Sequence, residues 1–136
     1  MFLKMISKYP VILTETNTAK NLKSIERKSL AIANVEVELS VDSVIRKLSL
    51  DNSVPEKILQ IIKFPIPKQD DIWIDFRHHV PRIDYTDKDW SSMKGKIVFI
   101  GATFTGSTFV LTPNGLKNTH EIMALSTETL LSGKFI

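Results

Sequence analysis

The sequence contains no cysteine, which excludes disulfides and thiolate chemistry and leaves the redox compartment open. No apolar run approaches the roughly 18 residues of a membrane-spanning helix. The first thirteen residues do not read as an export signal. Lys4, Lys8 and Pro10 interrupt their apolar stretch, and no small-residue cleavage site follows. A strong charge of one sign is lacking too, since the formal net charge is only +3. The densest basic stretch (Lys20, Lys23, Arg27, Lys28) has no aromatic residues interleaved. It therefore lacks the stacking platform or dense basic face of a nucleic-acid binder and reads as a solvated polar loop.

What is present is ordinary for a globular chain. The 136 residues suit one domain, and 43% apolar with 24% charged residues can build a core. Phe2, Leu3, Met5 and Ile6 suggest the end of a helix stopped by Pro10, followed by a short buried strand over Val11–Thr14. Residues 15–29 read as a long polar loop. Val35–Leu39 alternates apolar and polar side chains, the period of a half-buried strand. Val44–Leu50 follows, and Asp42 with Ser43 suits the turn of an antiparallel hairpin.

Ser53 and Glu56 form a capping-box signature with Pro55 in the first turn, and Ile58, Leu59, Ile61 and Ile62 supply an apolar helix face. Pro65 and Pro67 are expected to end that helix. A strand is expected over Ile72–Phe76. Lys96–Ile100 is the strongest strand signal, and its continuous apolarity predicts a central strand buried on both faces. The last element is a helix capped by Asn118, with Glu121 at its third position and Gly133 at its end. Alternating helices and strands, with one hairpin interposed, predict a single α/β domain: a mixed β-sheet with a buried central strand and flanking helices.

The candidate chemistry is sparse. Gly101 to Thr108 has glycine spacing similar to that of a phosphate loop, but Ser107 stands where the lysine is needed. The following Phe109–Pro113 is strand- or loop-like rather than a helix that could hold an anion. A tight turn using Gly101 and Gly106 is the plainer reading. His78, His79 and His120 lack zinc-site spacing, and adjacent residues of an extended chain point to opposite sides. Asp84, Asp87 and Asp89 lack the glycine and terminal glutamate of a calcium loop. Asp87 or Thr86 instead suits the cap of a short helix through Met93. No catalytic frame, metal site or cofactor is expected.

The C-terminal half nevertheless resembles one known family. Ile72–Arg77 is similar to an "I-N-Y/F-R" strand, Lys94–Thr103 to "KGKIVLIGAT", and Thr112–Pro113 to a following "T-P". His120–Ala124 is similar to "V-E-I-H-A", and Leu130–Gly133 to "LL-x-G". Together these ordered motifs resemble the type-2 CHASE domain, and Tyr9–Leu13 and the hairpin through Arg46 fall where that family has a strand and a "D-G-V-x-R" hairpin. Met123 departs from the family histidine, Ser43 from the hairpin glycine, and Phe109 and Val110 stand in a region where an aspartate is common.

The resemblance implies an extracytoplasmic sensor of a bacterial receptor, itself not an enzyme. Helices outside this chain would tether it to a membrane and pass a small-molecule or protein stimulus to a cyclase or kinase. The segment that usually precedes the matching region is missing, so the chain is expected to be an excised or truncated sensor. It would be cytoplasmic if it were the complete gene product. Ligands of open α/β sheets favour the carboxyl ends of strands. That places Asp75, Arg77, Thr103, Thr105 and Thr112 in the candidate binding set near the Gly101–Gly106 turn. Glu121 completes the set, although helix capping also accounts for it. Arg77 suits a carboxylate or phosphate, or a structural ion pair with Asp75, Asp84 or Glu121. Two rival classes are a homodimerisation or protein-interaction module without a small ligand, and a nucleotide-binding enzyme built on the glycine turn.

Overall fold

The computed structural model describes residues 12–14, 31–33, 37–84, 86, 91–101 and 109–135. The chain is α/β, and its strands pair in both directions, but in separate small sheets. Strands β1 (Ile12–Thr14) and β2 (Ala31–Ala33) are parallel, with Ile12 opposite Ala31. Strands β3 (Glu38–Leu39), β4 (Ile45–Ser49) and β5 (Asp71–Trp73) form an antiparallel sheet with β4 in the middle. Strands β6 (Phe109–Thr112) and β7 (Gly115–Asn118) form a third, two-stranded antiparallel unit.

The expected hairpin is present as β3–β4. Ser43 adopts the left-handed conformation (φ 63°) at its turn, and Asp42 Oδ1 accepts the Val44 N–H at 3.2 Å. Asp42 also grips Arg46 through two oxygens at 2.8 and 2.7 Å. A short polar side chain is one of the few that enters the left-handed region at modest cost.

Helix α1 (Val54–Ile62) starts as its sequence predicts: Glu56 N–H donates to the Ser53 hydroxyl at 3.2 Å. The Glu56 carboxylate reaches back to Asn52 N–H at 3.3 Å, one residue beyond the usual partner in a capping box. Its stop differs from expectation. The helix ends before either proline, at Lys63, whose φ of 59° is left-handed; Phe64 N–H then bonds the Leu59 carbonyl at 2.9 Å. A lysine here does what glycine usually does.

Helix α2 (Thr119–Ser132) has Asn118 and Glu121 at the expected capping positions and Gly133 (φ 70°) at its end. It is buried over Ile122–Thr127 and again at Thr129 and Leu130, far more of its circumference than one apolar face. The hydroxyls on that buried surface bond their own helix: Ser126 donates to Ile122 O at 2.7 Å and Thr127 to Met123 O at 2.8 Å. Buried polar groups are tolerable only when so satisfied.

The core forms where β4, β5, α1 and α2 meet, around Ile45, Leu48, Leu59, Ile72, Ile122 and Leu130, all fully buried or nearly so. α1 packs on α2 and on the β1–β2 pair. The buried central strand is therefore β4, and the segment Lys96–Ile100 is a correction. It has no strand partner among the described residues, and Ile97, Val98 and Ile100 are 43, 46 and 91% exposed. Only Phe99 packs partly on the core. Continuous apolarity gives a segment strand character without naming the strand beside it, and the middle of the observed sheet belongs to β4.

The expected helix before Pro10, the residue 15–29 loop and the cap expected at Asp87 lie outside the described residues, whereas Thr86, the other expected cap, stands in a turn where its N–H donates to Asp84 Oδ1 at 3.3 Å. A single 3-10 turn at Ser91–Met93 stands in the region of the expected short helix.

Candidate functional site

The end of β5 builds the best-defined polar corner of the molecule. Ile72, Ile74 and Phe76 alternate inward to the core, which turns Asp75 the other way. Ile74 N–H still bonds Arg46 O at 2.9 Å. One residue later, the Asp75 N–H leaves the sheet and donates to the Thr129 hydroxyl of α2 at 3.0 Å. That hydroxyl in turn donates to Leu125 O at 2.8 Å. The β5 extension and α2 are thus joined by a hydroxyl that uses both its donor and an acceptor site.

The Asp75 side chain organises the next turn. Its Oδ1 accepts the Arg77 backbone N–H at 3.0 Å and Arg77 Nε at 2.9 Å, and Oδ2 accepts Nη2 at 2.9 Å. The Asp75 side chain is only 15% exposed while that of Arg77 is 88% exposed. The carboxylate is therefore a seated anchor, and the guanidinium is oriented from one edge with its outer edge in water. The bonds from the Arg77 side chain, followed by its backbone N–H, hold the Asp75 carboxyl far below the usual carboxylate range. The same bonds raise the pKa of Arg77. Asp75 stays ionised at neutral pH and has no proton to donate. His78 lies beside the pair, its Nε2 buried and 3.8 Å from Asp75 Oδ2, beyond hydrogen-bond reach.

The β6–β7 turn closes on the same corner. Asn114 Nδ2 donates to Phe76 O at 3.3 Å. Thr112, nearly fully buried, shapes that turn. Its hydroxyl donates to Gly115 O at 2.6 Å and accepts the Asn114 N–H at 3.2 Å. Gly115 has a φ of 97°, a conformation that side chains rarely adopt.

Of the six residues the sequence nominated, the structure brings Asp75 and Arg77 into one ion pair and links Thr112 to their corner through Asn114. The Asp75 partner is thus the one Arg77 takes among the three considered. Glu121 belongs elsewhere. Its carboxylate accepts the Asn118 N–H at 3.4 Å and meets Arg82 at 3.5 Å. Thr103, Thr105 and Gly106 lie outside the described residues.

At Gly101 the backbone runs so close to the His120 imidazole that a β-carbon there would overlap the ring. That close approach accounts for a glycine at position 101. Burial lowers the His120 pKa, against an opposing pull from Glu121.

Sequence reading weighed His78 only as a metal ligand and missed Thr129, Asn114 and Arg82. Thr129 left one signal, a hydroxyl among apolar neighbours of the last helix. Asn114 and Arg82 gave none, because their partners Phe76 and Glu121 lie 38 and 39 residues away along the chain.

An open cleft of about 430 Å³ is lined by Ser49, Leu50, Asp51, Glu56, Pro67, Gln69 and Asp70. Asp75, Arg77, Thr112 and Glu121 do not line it. Among the described residues no group of three His, Asp or Glu side chains is placed to hold a metal ion, and no helix is long and apolar enough to cross a membrane. No family model, curated protein or solved structure matches the chain.

Proposed function

We propose that the chain is the stimulus-binding portion of a membrane-tethered bacterial receptor: an extracytoplasmic, non-enzymatic sensor similar to type-2 CHASE domains. In this reading a small anion, a carboxylate or phosphate, binds at the Asp75–Arg77 corner. The observation that carries it is the connection of that corner to two other elements. Asp75 holds a solvent-facing guanidinium through its carboxylate and holds α2 through its backbone N–H to Thr129. Phe76 O holds the β6–β7 turn through Asn114.

A second anion at Arg77 competes with Asp75 for the same N–H donors, because a guanidinium presents a fixed fork of them. Displacing one Asp75 oxygen alters the turn that also sets the Asp75 N–H bond to α2. Binding therefore has unequal free energy in two arrangements of the corner, the physical requirement for sensing. In this reading α2 carries the change on toward a cyclase or kinase output.

The reading is tested by calorimetric titration of acetate, succinate, citrate and inorganic phosphate into the protein and into Arg77→Gln. Saturable heat with at least one anion, lost in the variant, supports it. Heat that persists in Arg77→Gln, or no heat with any of them, removes the anion site.

One observation favours a second reading, an interaction or homodimerisation module without a small ligand. Leu111 and Leu116 lie opposite each other in the β6–β7 pair and, with Phe109 two residues along, are at least 45% exposed, and contiguous apolar surface marks contact sites. Concentration-dependent sedimentation together with silent titrations would select that alternative.

A further inference from the structure

One buried polar atom of the Asp75–Arg77 corner has no partner. His78 Nε2 is shut off from solvent and makes no hydrogen bond, while the His78 side chain as a whole keeps 28% exposure. A buried nitrogen left in this way costs free energy in either neutral tautomer. The atom faces Asp75 Oδ2 at 3.8 Å, about 1 Å beyond a charge-assisted hydrogen bond. That same oxygen accepts Arg77 Nη2 at 2.9 Å. The histidine and the arginine therefore address one acceptor, and only the arginine holds it.

The other charged groups around this corner are few. Among the described residues Asp75 is the one carboxylate paired with the His78 ring. Further along the same segment His79 and Arg82 are exposed, and Arg82 is taken by Glu121. Helix α2 meets the corner through the Thr129 hydroxyl, and its neighbour Glu128 is exposed. The β6–β7 turn contributes Asn114, and Thr112–Leu116 carries no titratable side chain. The charges that act on Asp75 among the described residues are those of Arg77 and His78. With His78 neutral, Asp75 and Arg77 sum to no net charge, and an incoming anion meets a guanidinium already engaged on one edge. With His78 protonated, the corner carries one positive charge. Histidine is the side chain whose ordinary titration falls between about pH 5 and 8.

We propose that His78 is a proton-operated positioning residue of this corner: once protonated, its Nε2–H donates to Asp75 Oδ2, that oxygen loosens its hold on Arg77 Nη2, and the freed N–H takes a small anion. The anion part rests on the site proposed above and names what regulates it. One proton enters from solvent, and only hydrogen bonds are exchanged. Asp75 Oδ1 keeps the Arg77 backbone N–H and Nε, so the turn persists while one arm of the fork is released. The movement needed is about 1 Å, within the reach of a side-chain adjustment. By linkage, each ligand assists the other: the proton raises anion affinity, and the anion raises proton affinity by the same factor.

The experiment follows the whole chain by NMR from about pH 8 to about pH 5 without any anion. Calorimetry with acetate and with sulfate at about pH 8 and about pH 6 then follows, since both anions keep their charge over that span. In the NMR titration the Arg77 Nε–H signal is expected to move with the His78 ring signals, at one shared midpoint. His78→Gln should abolish that movement, whereas His79→Gln, at the exposed neighbour, should leave it. Anion affinity should rise at least about fivefold between the higher and the lower pH, and should stay level in His78→Gln. An Arg77 signal that stays still while His78 titrates overturns the proposal, and this reading needs no variant. Movement that survives His78→Gln overturns it too, as does anion affinity equal at the two pH values. Heat absent at both, with Arg77 still following His78, removes the anion site and upholds the proton-driven exchange.

Discussion

Asp75 holds two partners through different atoms, and each link can be broken separately. Replacing Thr129 with valine keeps the shape of the side chain but leaves the Asp75 N–H without its acceptor. A part-buried donor stranded in this way costs about 1–2 kcal/mol, so the urea midpoint of Thr129→Val should fall accordingly, while Thr129→Ser should retain most of the stability.

The carboxylates make stability depend on pH. Arg46, through its side-chain bonds, lowers Asp42 to about 2, and Arg77 holds Asp75 lower still. Both native pKa values lie below the unfolded value near 3.9. Their contribution is therefore complete above about pH 5 and is lost as pH falls through about 4 toward 2. Denaturation midpoints should be steady near neutrality and drop on acidification, and Asp42→Asn and Asp75→Asn should flatten that drop. His120 adds a loss of the same sign at higher pH. Burial lowers its native pKa, so acidification through about 6.5 charges it more readily in the unfolded chain. At Gly101 the account is steric: Gly101→Ala drives a β-carbon into the His120 ring, and a lowered melting temperature together with a shifted His120 resonance should follow.

The elements owe their boundaries to local chemistry, and that chemistry was largely visible in the sequence. Ser53 with Glu56, and Asn118 with Glu121, mark both helix starts because a cap acts within three residues. Ser53→Ala should cost about 1 kcal/mol in thermal or urea unfolding. The β3–β4 hairpin was legible for the same reason. Its turn is one that glycine would suit, since Ser43 sits at a φ of 63°. Ser43→Gly should then raise stability by about 0.5–1 kcal/mol, and a lower midpoint would mean the Ser43 side chain contributes contacts the turn needs. The stop of α1 was not legible, because a lysine takes the left-handed cap and no residue type announces that. Strand β2 was not legible either. Alanine has little strand preference, and the pairing of Ala31–Ala33 with Ile12–Thr14 spans a separation that local patterning does not encode.

For the molecule as a whole, pattern gave the class, and pairing had to come from the structure. Lys96–Ile100 has the strongest strand composition yet lies exposed and without a strand partner among the described residues, while the less apolar β4 takes the centre of its sheet. Composition measures how much surface a segment seeks to bury. The choice of neighbour depends on contacts between distant residues. The same limit applied to the candidate site. Asp75 was legible as one of three partners for Arg77, whereas Thr129 and Asn114, which tie that pair to α2 and to the β6–β7 turn, come from 54 and 38 residues away from their partners. Only the fold brings them together.

The central claim is that a small anion at Arg77 is felt by α2 through Asp75 and Thr129. The most direct measurement is an amide NMR titration with the anion that binds in calorimetry, or with inorganic phosphate if none does. The account predicts saturable shifts at Asp75, Arg77 and His78 that extend to residues 125–133, with the α2 shifts lost in Thr129→Val while those at Arg77 remain. Shifts confined to other surfaces, no shifts at all, or α2 shifts that survive Thr129→Val would contradict it.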